Sequence, residues 1–318
     1  MLQQRDLKEF SIGDKFTLFL VVNKIEIKEA KSGKSFINLE LRDRSAILPA
    51  KLWDNIDSYS KSISEGAIVK LAGQIEEYNN SPQIKIDKIR LSAADDDVTP
   101  EDFLPKSKRS LNEMLAELNY FVESVQNSHC NALLKYFFEG ENLQKYIRTP
   151  AGKSWHHAYL HGLLEHTLEI TKICKLMCEI HPEINYDILI SGALLHDFGK
   201  TIELSYDTKF DYTDKGKLIG HIVICAIEIE KAVEKFENFP ADIKDHIIHL
   251  VLSHQGKLEY ASPVEPKTLE AIVLYQADEL SAKTNAYKSA IESEKNKGSN
   301  WTKFLPLANT SLFIPSEK

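Results

Sequence analysis

Hydrophobic and polar residues alternate along most of the first ninety positions, which is the pattern of half-buried β-strands. In residues 36–41 the sequence FINLEL places Ile37, Leu39 and Leu41 on one face and Phe36, Asn38 and Glu40 on the other. Turn-forming residues separate the apolar runs at Lys31–Lys34, Arg42–Ser45 and Asn79–Pro82. The pattern predicts five strands and one short helix: Phe16–Ile27, Phe36–Leu41, Ile47–Trp53, the helix Asp54–Glu65, Ala67–Tyr78 and Gln83–Leu91.

The periodicity changes after residue 110 to the three- and four-residue spacing of amphipathic helices. Residues 111–138 carry such an apolar stripe, and from Trp155 to Ala286 nearly every segment has helical spacing with short loops. The predicted helices are Gly162–Glu179, Tyr186–His196, Gly220–Lys235, Ala241–Ser253 and Pro266–Ala286. The sequence thus predicts a multi-domain protein in which an all-β barrel is followed by an all-α domain.

Domain boundaries follow from the composition between and after these regions. Residues 1–92 form the β domain, and residues 93–110, with an acidic run and two prolines, form a linker. Residues 111–290 form the helical domain. The tail, residues 291–318, lacks regular spacing but carries Trp301, Phe304 and Phe313. We expect this tail to pack on a domain or a neighbouring subunit, which predicts a homo-oligomer.

Five strands with a helix between the third and the fourth is the arrangement of an OB-fold. The segment resembles OB domains that bind nucleic acid, which combine basic grooves with aromatic platforms for single strands. The candidate contacts are Phe36, Trp53, Tyr78, Lys34 and Lys51, with Lys24 and Lys85 as further lysines on the polar side. The alternative for each aromatic residue is that it packs the barrel interior.

Composition narrows the protein class. With 318 residues, 43% hydrophobic and 27% charged, the chain is typical of a two-domain soluble protein. No run reaches the ~20 apolar residues that span a bilayer, and the N-terminus is charged, so we expect no membrane association and a cytoplasmic location. The four cysteines form no CxxC pair, which argues against a structural zinc site.

The charge is uneven along the chain. The net charge is −8, but residues 1–92 carry 15 Lys and Arg against 13 Asp and Glu, whereas the remainder carries 24 against 34. The first domain is therefore the better polyanion binder. The acidic second domain needs bound cations before it can accept a phosphate.

Histidines and aspartates in the helical domain carry the candidate chemistry. In order they are His166, the adjacent pair His196 and Asp197, His221, His254 and Asp278, each next to an apolar helical stretch. Imidazole and carboxylate together suit divalent manganese, iron, cobalt or zinc, and a buried Asp197 needs a cation beside it. A metal held by such groups acidifies water and polarises phosphoryl oxygens.

The order H…HD…D, at His166, His196–Asp197 and Asp278, resembles the signature of the HD phosphohydrolase superfamily, over roughly residues 155–286. The resemblance implies that these four residues hold a first metal and that Asp197 bridges to a second one on His221 and His254. Gln255 stands where many two-metal members have a second histidine, so one or two ions are implied. Lys200, one turn after the pair, would contact a phosphate and act in catalysis with Asp197.

The combination of an OB domain, an acidic linker and an HD domain resembles the YhaM-type 3′-5′ exoribonucleases. The segments PAGKSWHHAYLHGLLEHT, HDFGK, SHQGKLEYASPV and NWTKFLPLANTSLF carry this resemblance over nearly the whole chain. It implies stepwise hydrolysis of single-stranded RNA, with single-stranded DNA as a second candidate, to nucleoside 5′-monophosphates. Manganese is the first choice of metal, with cobalt, iron, magnesium and zinc as alternatives, and His157 and His161 would face the substrate.

Two other functions remain open from the residues alone. The first is a phosphohydrolase that acts on nucleotides or cyclic dinucleotides, with a regulatory OB domain. The second is a non-catalytic nucleic-acid-binding protein with an inert HD site. The complete set of His and Asp ligands argues against the inert site. The metal content of the purified protein would test this point, because an inert HD domain should carry little metal.

Overall fold

The computed structural model describes residues 2–30, 33–54, 56–153, 155–295, 298–306 and 308–315. By its internal contacts the chain separates into two units, residues 1–105 with 206–209 and residues 106–205 with 210–318. Among the helices of these described ranges, none combines the length and the apolar character that crossing a membrane requires.

The first unit contains a closed five-stranded barrel with the strand order β1-β2-β3-β5-β4. Neighbouring strands are antiparallel except β3 and β5, which are parallel. This is the OB-fold that the sequence predicts, with a helix between the third and the fourth strand. The elements are β1 (Lys15–Glu29), β2 (Ser35–Arg42), β3 (Ile47–Leu52), α1 (Ile56–Ser62), β4 (Ile68–Tyr78) and β5 (Ser81–Leu91).

Alternating side chains fill the barrel. Phe16, Leu18 and Leu20 of β1 are buried, whereas Thr17 between them is exposed. The register of β1 against β2 shifts between Val22 and Lys24, a bulge that lets this long strand bend around a small barrel. All five predicted strands are present within two residues of their predicted bounds. The predicted turn at residues 31–34 includes positions 31 and 32, which lie outside the described residues.

The segment predicted to be a linker is partly structured. It holds short 3-10 helices at Ala94–Asp96 and Pro100–Phe103. Phe103 is fully buried, and its carbonyl accepts a hydrogen bond from Nη1 of Arg42 at 2.9 Å. The acidic run is also anchored, because Asp96 binds the Arg90 guanidinium through both carboxylate oxygens at 2.7 and 2.8 Å. The first part of the segment is therefore folded onto the barrel.

The second unit is helical and contains the larger of the two apolar cores. Its elements are α2 (Leu111–Ser124), α3 (Ser128–Phe137), α4 (Gly140–Arg148), α5 (Gly162–Ile180), α6 (Tyr186–Leu195), α7 (Lys200–Glu203), β6 (Leu204–Tyr206), β7 (Phe210–Tyr212), α8 (Asp214–Ile219), α9 (His221–Val233), α10 (Ala241–Ser253) and α11 (Leu269–Glu294). The last residue of β6, Tyr206, is grouped with the first unit by its contacts.

Three details differ from the predicted helical domain. The apolar stripe of residues 111–138 is two helices, because the side chain of Asn127 caps a new helix by accepting from the backbone N–H groups of His129 and Cys130. The β6–β7 hairpin was not predicted, since strands of three residues are too short to have a measurable period. Helix α11 continues past Ala286, because the chain holds no glycine or proline before Gly298 to stop it.

A stack of aromatic rings lies beneath the His-Asp pair. Phe198, which follows Asp197, is 4% exposed and packs edge-on against Phe137 at 4.6 Å between ring centroids. It also stacks on Tyr146 at 5.9 Å with an interplanar angle of 8°. The Tyr146 hydroxyl bonds to Oγ1 of Thr167 at 2.7 Å. These contacts fix the pair on a rigid part of the core.

Candidate metal centre and nucleic-acid interface

Five helices of the second unit supply the six predicted metal ligands. They are His166 on α5, His196 and Asp197 directly after α6, His221 at the start of α9, His254 directly after α10 and Asp278 on α11. Helix α6 is apolar and buried almost throughout, so the pair at its end is carried into the interior. The side chains of His166, His196, Asp197 and His221 are at most 19% exposed.

Asp197 lies between two groups of ligand atoms. Its Oδ2 is 3.3 Å from Nε2 of His196 and 3.8 Å from Nε2 of His166. Its Oδ1 is 3.3 Å from Nε2 of His221 and 3.6 Å from Nε2 of His254. In the first trio (His166, His196, Asp197) and in the second trio (Asp197, His221, His254) the ligand atoms all lie within 4.8 Å of one another. Each trio is compact enough that it could hold one ion, and Asp197 belongs to both trios.

The structure also locates Asp278 and Gln255, two residues of the sequence prediction that lie outside both trios. Asp278 is in neither trio, but its Oδ1 is 3.0 Å from Nε2 of His166, so it borders the first trio. Gln255 follows His254 in the chain, and the second trio is complete without it. The described residues therefore contain two groups that could each hold an ion, and neither includes Gln255.

The orientation of the imidazoles follows from the nitrogen that faces away from Asp197. Nδ1 of His196 is 2.8 Å from the carbonyl oxygen of Ala193, and Nδ1 of His254 is 2.6 Å from that of Val251. Because a carbonyl oxygen only accepts, Nδ1 carries the proton in both rings. The lone pair of each ring is then on Nε2, the nitrogen directed at Asp197.

Side chains hold the other two imidazoles. Nδ1 of His221 is 3.0 Å from Oε1 of Glu203, and Nδ1 of His166 is 3.1 Å from Oγ of Ser281. The Ser281 hydroxyl donates in turn to Oε2 of Glu169 at 2.7 Å. Sequence reasoning missed these three residues. The hydrogen bonds to His221 and His166 join residues 18 and 115 positions apart, and no local pattern marks such pairs.

The ligand atoms have the properties of a cation site. Among the described residues, Nε2 of the four histidines in the two trios and Oδ1 of Asp197 are buried with no hydrogen-bond partner. An unsatisfied buried polar atom costs about 1–3 kcal/mol, so five of them around one carboxylate require compensation. A divalent ion supplies it, and imidazole nitrogen with carboxylate oxygen is a donor set that manganese, iron, cobalt and zinc accept. The residues present therefore fit a divalent metal.

Electrostatics keep the central carboxylate charged. Burial opposes ionisation of Asp197, but Lys200 and His196 outweigh it and hold the pKa of the carboxyl well below its usual value. Burial lowers the pKa of His254 to about 4 and that of His166 well below its ordinary value, so both rings are neutral at pH 7. At His196 burial also opposes protonation, but the charge of Asp197 outweighs it and raises the pKa. A metal that binds Nε2 of His196 therefore competes with a proton for the same lone pair.

Lys200 lies beside the shared carboxylate. Its ammonium donates to Oδ2 of Asp197 at 2.6 Å, three residues earlier in the chain, and the side chain is buried. Burial would lower the pKa of Lys200, but the charge of Asp197 outweighs it and raises the pKa. A permanent positive charge is thus fixed at the edge of the ligand set, where an anionic group of a substrate would need one.

Gly199 explains why the His-Asp pair and α9 can approach so closely. A Cβ at this position would lie 2.0 Å from the carbonyl oxygen of His221 and 2.9 Å from the backbone nitrogen of Cys225. Only glycine leaves room for the first turn of α9 at that point. The glycine in the segment HDFGK therefore sets the distance between Asp197 and His221.

The two histidines predicted to face the substrate are both engaged elsewhere. His157 is 1% exposed, has a φ of 44°, and its Nε2 is 3.2 Å from Oε2 of Glu169. His161 precedes α5 with a φ of 68°, and its Nδ1 contacts the carbonyl of Ile147. His157 has almost no surface to offer a nucleotide in this arrangement, and its contact with Glu169 belongs to the surroundings of the metal centre.

His156 was not among the predicted site residues, although it stands in the quoted segment SWHHAYL. Its ring centroid is 4.9 Å from that of His166. Both ring nitrogens are buried and have no hydrogen-bond partner in the described parts of the chain. Burial lowers its pKa to about 2. A neutral imidazole with unused hydrogen-bonding capacity therefore borders the first trio.

On the barrel, four of the five predicted contacts form one cluster. Phe36 and Trp53 stack at 4.7 Å between ring centroids with an interplanar angle of 28°. The ammonium of Lys51 lies 3.9 Å from the ring centroid of Tyr78 and 5.8 Å from that of Phe36. Trp53 is 40% and Tyr78 is 50% exposed. We call Phe36, Lys51, Trp53 and Tyr78 the aromatic–lysine patch.

The other lysines predicted to lie on the polar side of the barrel have acidic neighbours or line an adjacent groove. Lys34 is 3.8 Å from Asp54, and both side chains are exposed. Lys24 binds Glu26 at 2.7 Å. Lys85 pairs with Lys51 across the parallel strands and lines a groove of about 470 Å³ with Trp53. The groove carries basic and acidic side chains, and among its lining residues Trp53 and Lys51 offer an exposed ring and a positive charge that suit a nucleic-acid strand.

Comparisons with known proteins agree with both units. Residues 163–283 match the family model described as HD domain, and residues 20–92 match that described as OB-fold nucleic acid binding domain. The chain is 32% identical to the 3′-5′ exoribonuclease YhaM of Geobacillus sp. (strain WCH70), covering 98% of this chain and 95% of the relative. It is 31% identical to the 3′-5′ exoribonuclease YhaM of Bacillus subtilis (strain 168), covering 96% of each. A solved structure of the second OB-fold domain of replication protein A from Methanococcus maripaludis aligns over 27% of this chain and 92% of its own, with 17% identity and a TM-score of 0.23.

Proposed function

Because the chain belongs to the YhaM family of 3′-5′ exoribonucleases, we propose that it releases nucleoside 5′-monophosphates one at a time from the 3′ end of single-stranded RNA. It is a metal-dependent hydrolytic nuclease with an OB-fold that binds nucleic acid and an HD domain that carries the chemistry. The observation that carries the proposal is the convergence of four unsatisfied Nε2 atoms and Oδ1 of Asp197 in the HD domain.

The residues divide the chemical work. His166, His196 and Asp197 would hold one divalent ion, bordered by Asp278, and Asp197, His221 and His254 would hold a second. Such ions, when bound, acidify water and polarise the phosphoryl oxygens. The ammonium of Lys200 donates to a phosphate oxygen of the terminal nucleotide and offsets its charge.

The bond that breaks joins phosphorus to the 3′ oxygen of the preceding nucleotide. The oxygen of water then stays on the released 5′-monophosphate, and a proton goes to the 3′ oxygen of the shortened strand. The phosphate adds negative charge to an acidic domain, so Lys200 and the bound cations are needed together.

We propose that the aromatic–lysine patch holds the strand. Trp53 and Phe36 offer stacking surface to bases, and Lys51 offers charge to the backbone. Stacking accepts every base and does not read the 2′-hydroxyl, so single-stranded DNA is a second candidate substrate. His161 is a further candidate contact, whereas the burial of His157 favours a role beside the metal centre.

Manganese is the proposed metal, because mixed nitrogen and carboxylate ligands suit it and the reaction is at phosphorus. We further propose that the enzyme works in the cytoplasm, where RNA is available and where thiols such as its four free cysteines stay reduced. The exposed rings of Trp301, Phe304 and Phe313 support a homo-oligomer in which the tail packs on another subunit.

The test uses a 5′-labelled single-stranded RNA oligomer. Reactions contain manganese, EDTA, or manganese with Asp197→Ala, and Asp245→Ala serves as a matched control because Asp245 is exposed. A ladder that shortens from the 3′ end only with manganese and intact Asp197 supports the proposal. No shortening by a protein that binds both metal and RNA contradicts it and points to mononucleotides or cyclic dinucleotides. A protein that carries no metal points to an inert binding domain.

A further inference from the structure

The four ligand imidazoles are held in two different ways. His196 and His254 bond to carbonyl oxygens three residues earlier in their own chain segment, so their orientation is a local property of a helix end. His221 and His166 bond to side chains that come from elsewhere in the fold. Each trio contains one imidazole of each kind. Each metal position therefore depends on one distant side chain.

Glu203 holds the second trio. Its Oε1 accepts from Nδ1 of His221 at 3.0 Å and from the backbone N–H of the same residue at 2.9 Å. One carboxylate oxygen thus fixes both the ring and the start of α9, where the helix dipole favours a negative charge. Glu203 is itself fixed by close packing, because a Cβ on Gly216 would lie 2.4 Å from its carbonyl oxygen and 2.8 Å from its Cγ.

Glu169 holds the first trio through a relay. Its Oε2 accepts from the Ser281 hydroxyl at 2.7 Å, which leaves a lone pair of Oγ for Nδ1–H of His166 at 3.1 Å. Nε2 of His157 adds a second contact to the same carboxylate oxygen at 3.2 Å. The direction of the two hydrogen bonds of the relay is determined, since the carboxylate only accepts from Ser281 and Nδ1–H of His166 must then donate to Oγ. Glu169 therefore orients His166 without touching it.

We propose that Glu203 and Glu169 are positioning residues that set the metal affinities of the two trios separately, Glu203 through His221 and Glu169 through Ser281 and His166. The inference rests on the proposed metal-dependent function. A carboxylate behind a ligand imidazole fixes its tautomer and makes Nε2 a stronger donor, and loss of such a partner costs about 10- to 100-fold in metal affinity. The two carboxylates give the chain independent control over two ions that share Asp197.

The experiment measures metal binding without RNA. Chelator-treated protein is titrated with manganese, and free manganese is followed by electron paramagnetic resonance. Glu203→Gln should weaken one of two sites by about 10- to 100-fold, and Glu169→Gln should weaken the other to a similar extent. Glu117→Gln is the matched control, because Glu117 is a partly buried carboxylate bonded to Arg109 and Lys172 on another part of the unit. It should leave both sites unchanged.

Double-mutant cycles assign each effect to its trio. With His221→Ala as background, Glu203→Gln should have no further effect, whereas Glu169→Gln should still weaken the remaining site. With Ser281→Ala as background, Glu169→Gln should have no further effect if it acts through the hydroxyl. Additive losses in either matched pair, or unchanged affinities in both single variants, would overturn the proposal.

Two further measurements separate positioning from general destabilisation. Thermal unfolding of the metal-free variants should match that of the metal-free wild type, and saturating manganese should restore the kcat of both variants. Glu203→Asp keeps the charge but shortens the reach, so it should bind as weakly as Glu203→Gln. If the wild type binds no divalent metal, the proposed function fails. If the wild type binds two ions and the variants bind them equally well, only the positioning roles fail.

Discussion

The candidate metal centre and the aromatic–lysine patch are built in opposite ways. The rings of His196 and His254 are buried and are held through Nδ1, away from the candidate ligand nitrogen Nε2, by hydrogen bonds of 2.8 and 2.6 Å. The rings of Trp53 and Tyr78 are 40% and 50% exposed, and their contacts are with neighbouring patch side chains. Metal binding at the centre depends on the exact placement of a few atoms, whereas strand binding at the patch depends on exposed ring area and positive charge. Substitutions should therefore change activity steeply at the centre and gradually at the patch.

The largest effect is expected from Asp197→Asn. The amide keeps the shape but removes the charge that both trios share, so both ions and several kcal/mol of transition-state stabilisation are lost. We expect kcat to fall by about 1,000-fold or more, measured by the release of nucleotides under single-turnover conditions. Asp245→Asn on the surface should keep wild-type activity. A kcat within tenfold of the wild type would mean that Asp197 is not the shared ligand.

Gly199→Ala is expected to have the next largest effect. The added methyl group would lie 2.0 Å from the carbonyl oxygen of His221, so the start of α9 must move away from Asp197. Binding of the ion in the second trio should weaken by about 10- to 100-fold, as for loss of an orienting partner. Titration with manganese measures this affinity. Gly152→Ala is the control, since its methyl would meet only an ordinary contact at 3.5 Å. Equal affinities in the two variants would contradict the steric argument.

Trp53→Ala should affect binding and leave chemistry intact. Loss of one stacking surface costs about 1–3 kcal/mol per base, which corresponds to about 5- to 150-fold in the affinity for single-stranded RNA. The KM should rise while kcat stays constant, measured from initial rates over a range of RNA concentrations. Tyr120→Ala removes a 55% exposed ring from the helical unit and should change neither value. A fall in kcat alone would place Trp53 in the chemical step.

The smallest effect is expected from Lys51→Ala. If Lys51 contacts one phosphate, its loss should reduce the slope of log K against log salt concentration by about 0.7. Fluorescence anisotropy with labelled RNA at several salt concentrations measures the slope. Lys61→Ala on α1 removes a barrel lysine outside the patch and should preserve it. An unchanged slope for Lys51→Ala would mean that its ammonium serves only the rings of Tyr78 and Phe36.

The fold was predictable because its signals are local. The strict alternation at Ile37, Leu39 and Leu41 marks a strand of the barrel, and the apolar stretches before His166, His196 and His254 mark helices that carry the ligands. The OB-fold and the helical HD domain are accordingly confirmed. The break before Ser128 also had a local signal, because Asn127 is a good N-cap residue that the apolar stripe obscured.

The surroundings of the ligands were not predictable from one sequence. Glu203 bonds across 18 residues and Ser281 across 115, and neither stands in a motif of its own. The burial of His157 depends on a left-handed backbone and on the position of Glu169, which are properties of the folded core. Sequence reasoning therefore identifies atoms that can bind a metal, whereas the atoms that orient them emerge only from tertiary packing.

The aromatic stack under Asp197 has a consequence for the lifetime of a bound ion. Phe198 packs on Phe137 and Tyr146, and the hydroxyl of Tyr146 reaches Thr167, the neighbour of His166. The segments of α5 and α6 that carry His166 and His196 are thereby joined through one packed layer, and we expect this layer to open to solvent only when most of the helical unit unfolds. We therefore expect the rate at which a chelator removes a bound ion to be limited by dissociation of the ion from the site. Amide hydrogen exchange at His196 should accordingly be as slow as global unfolding.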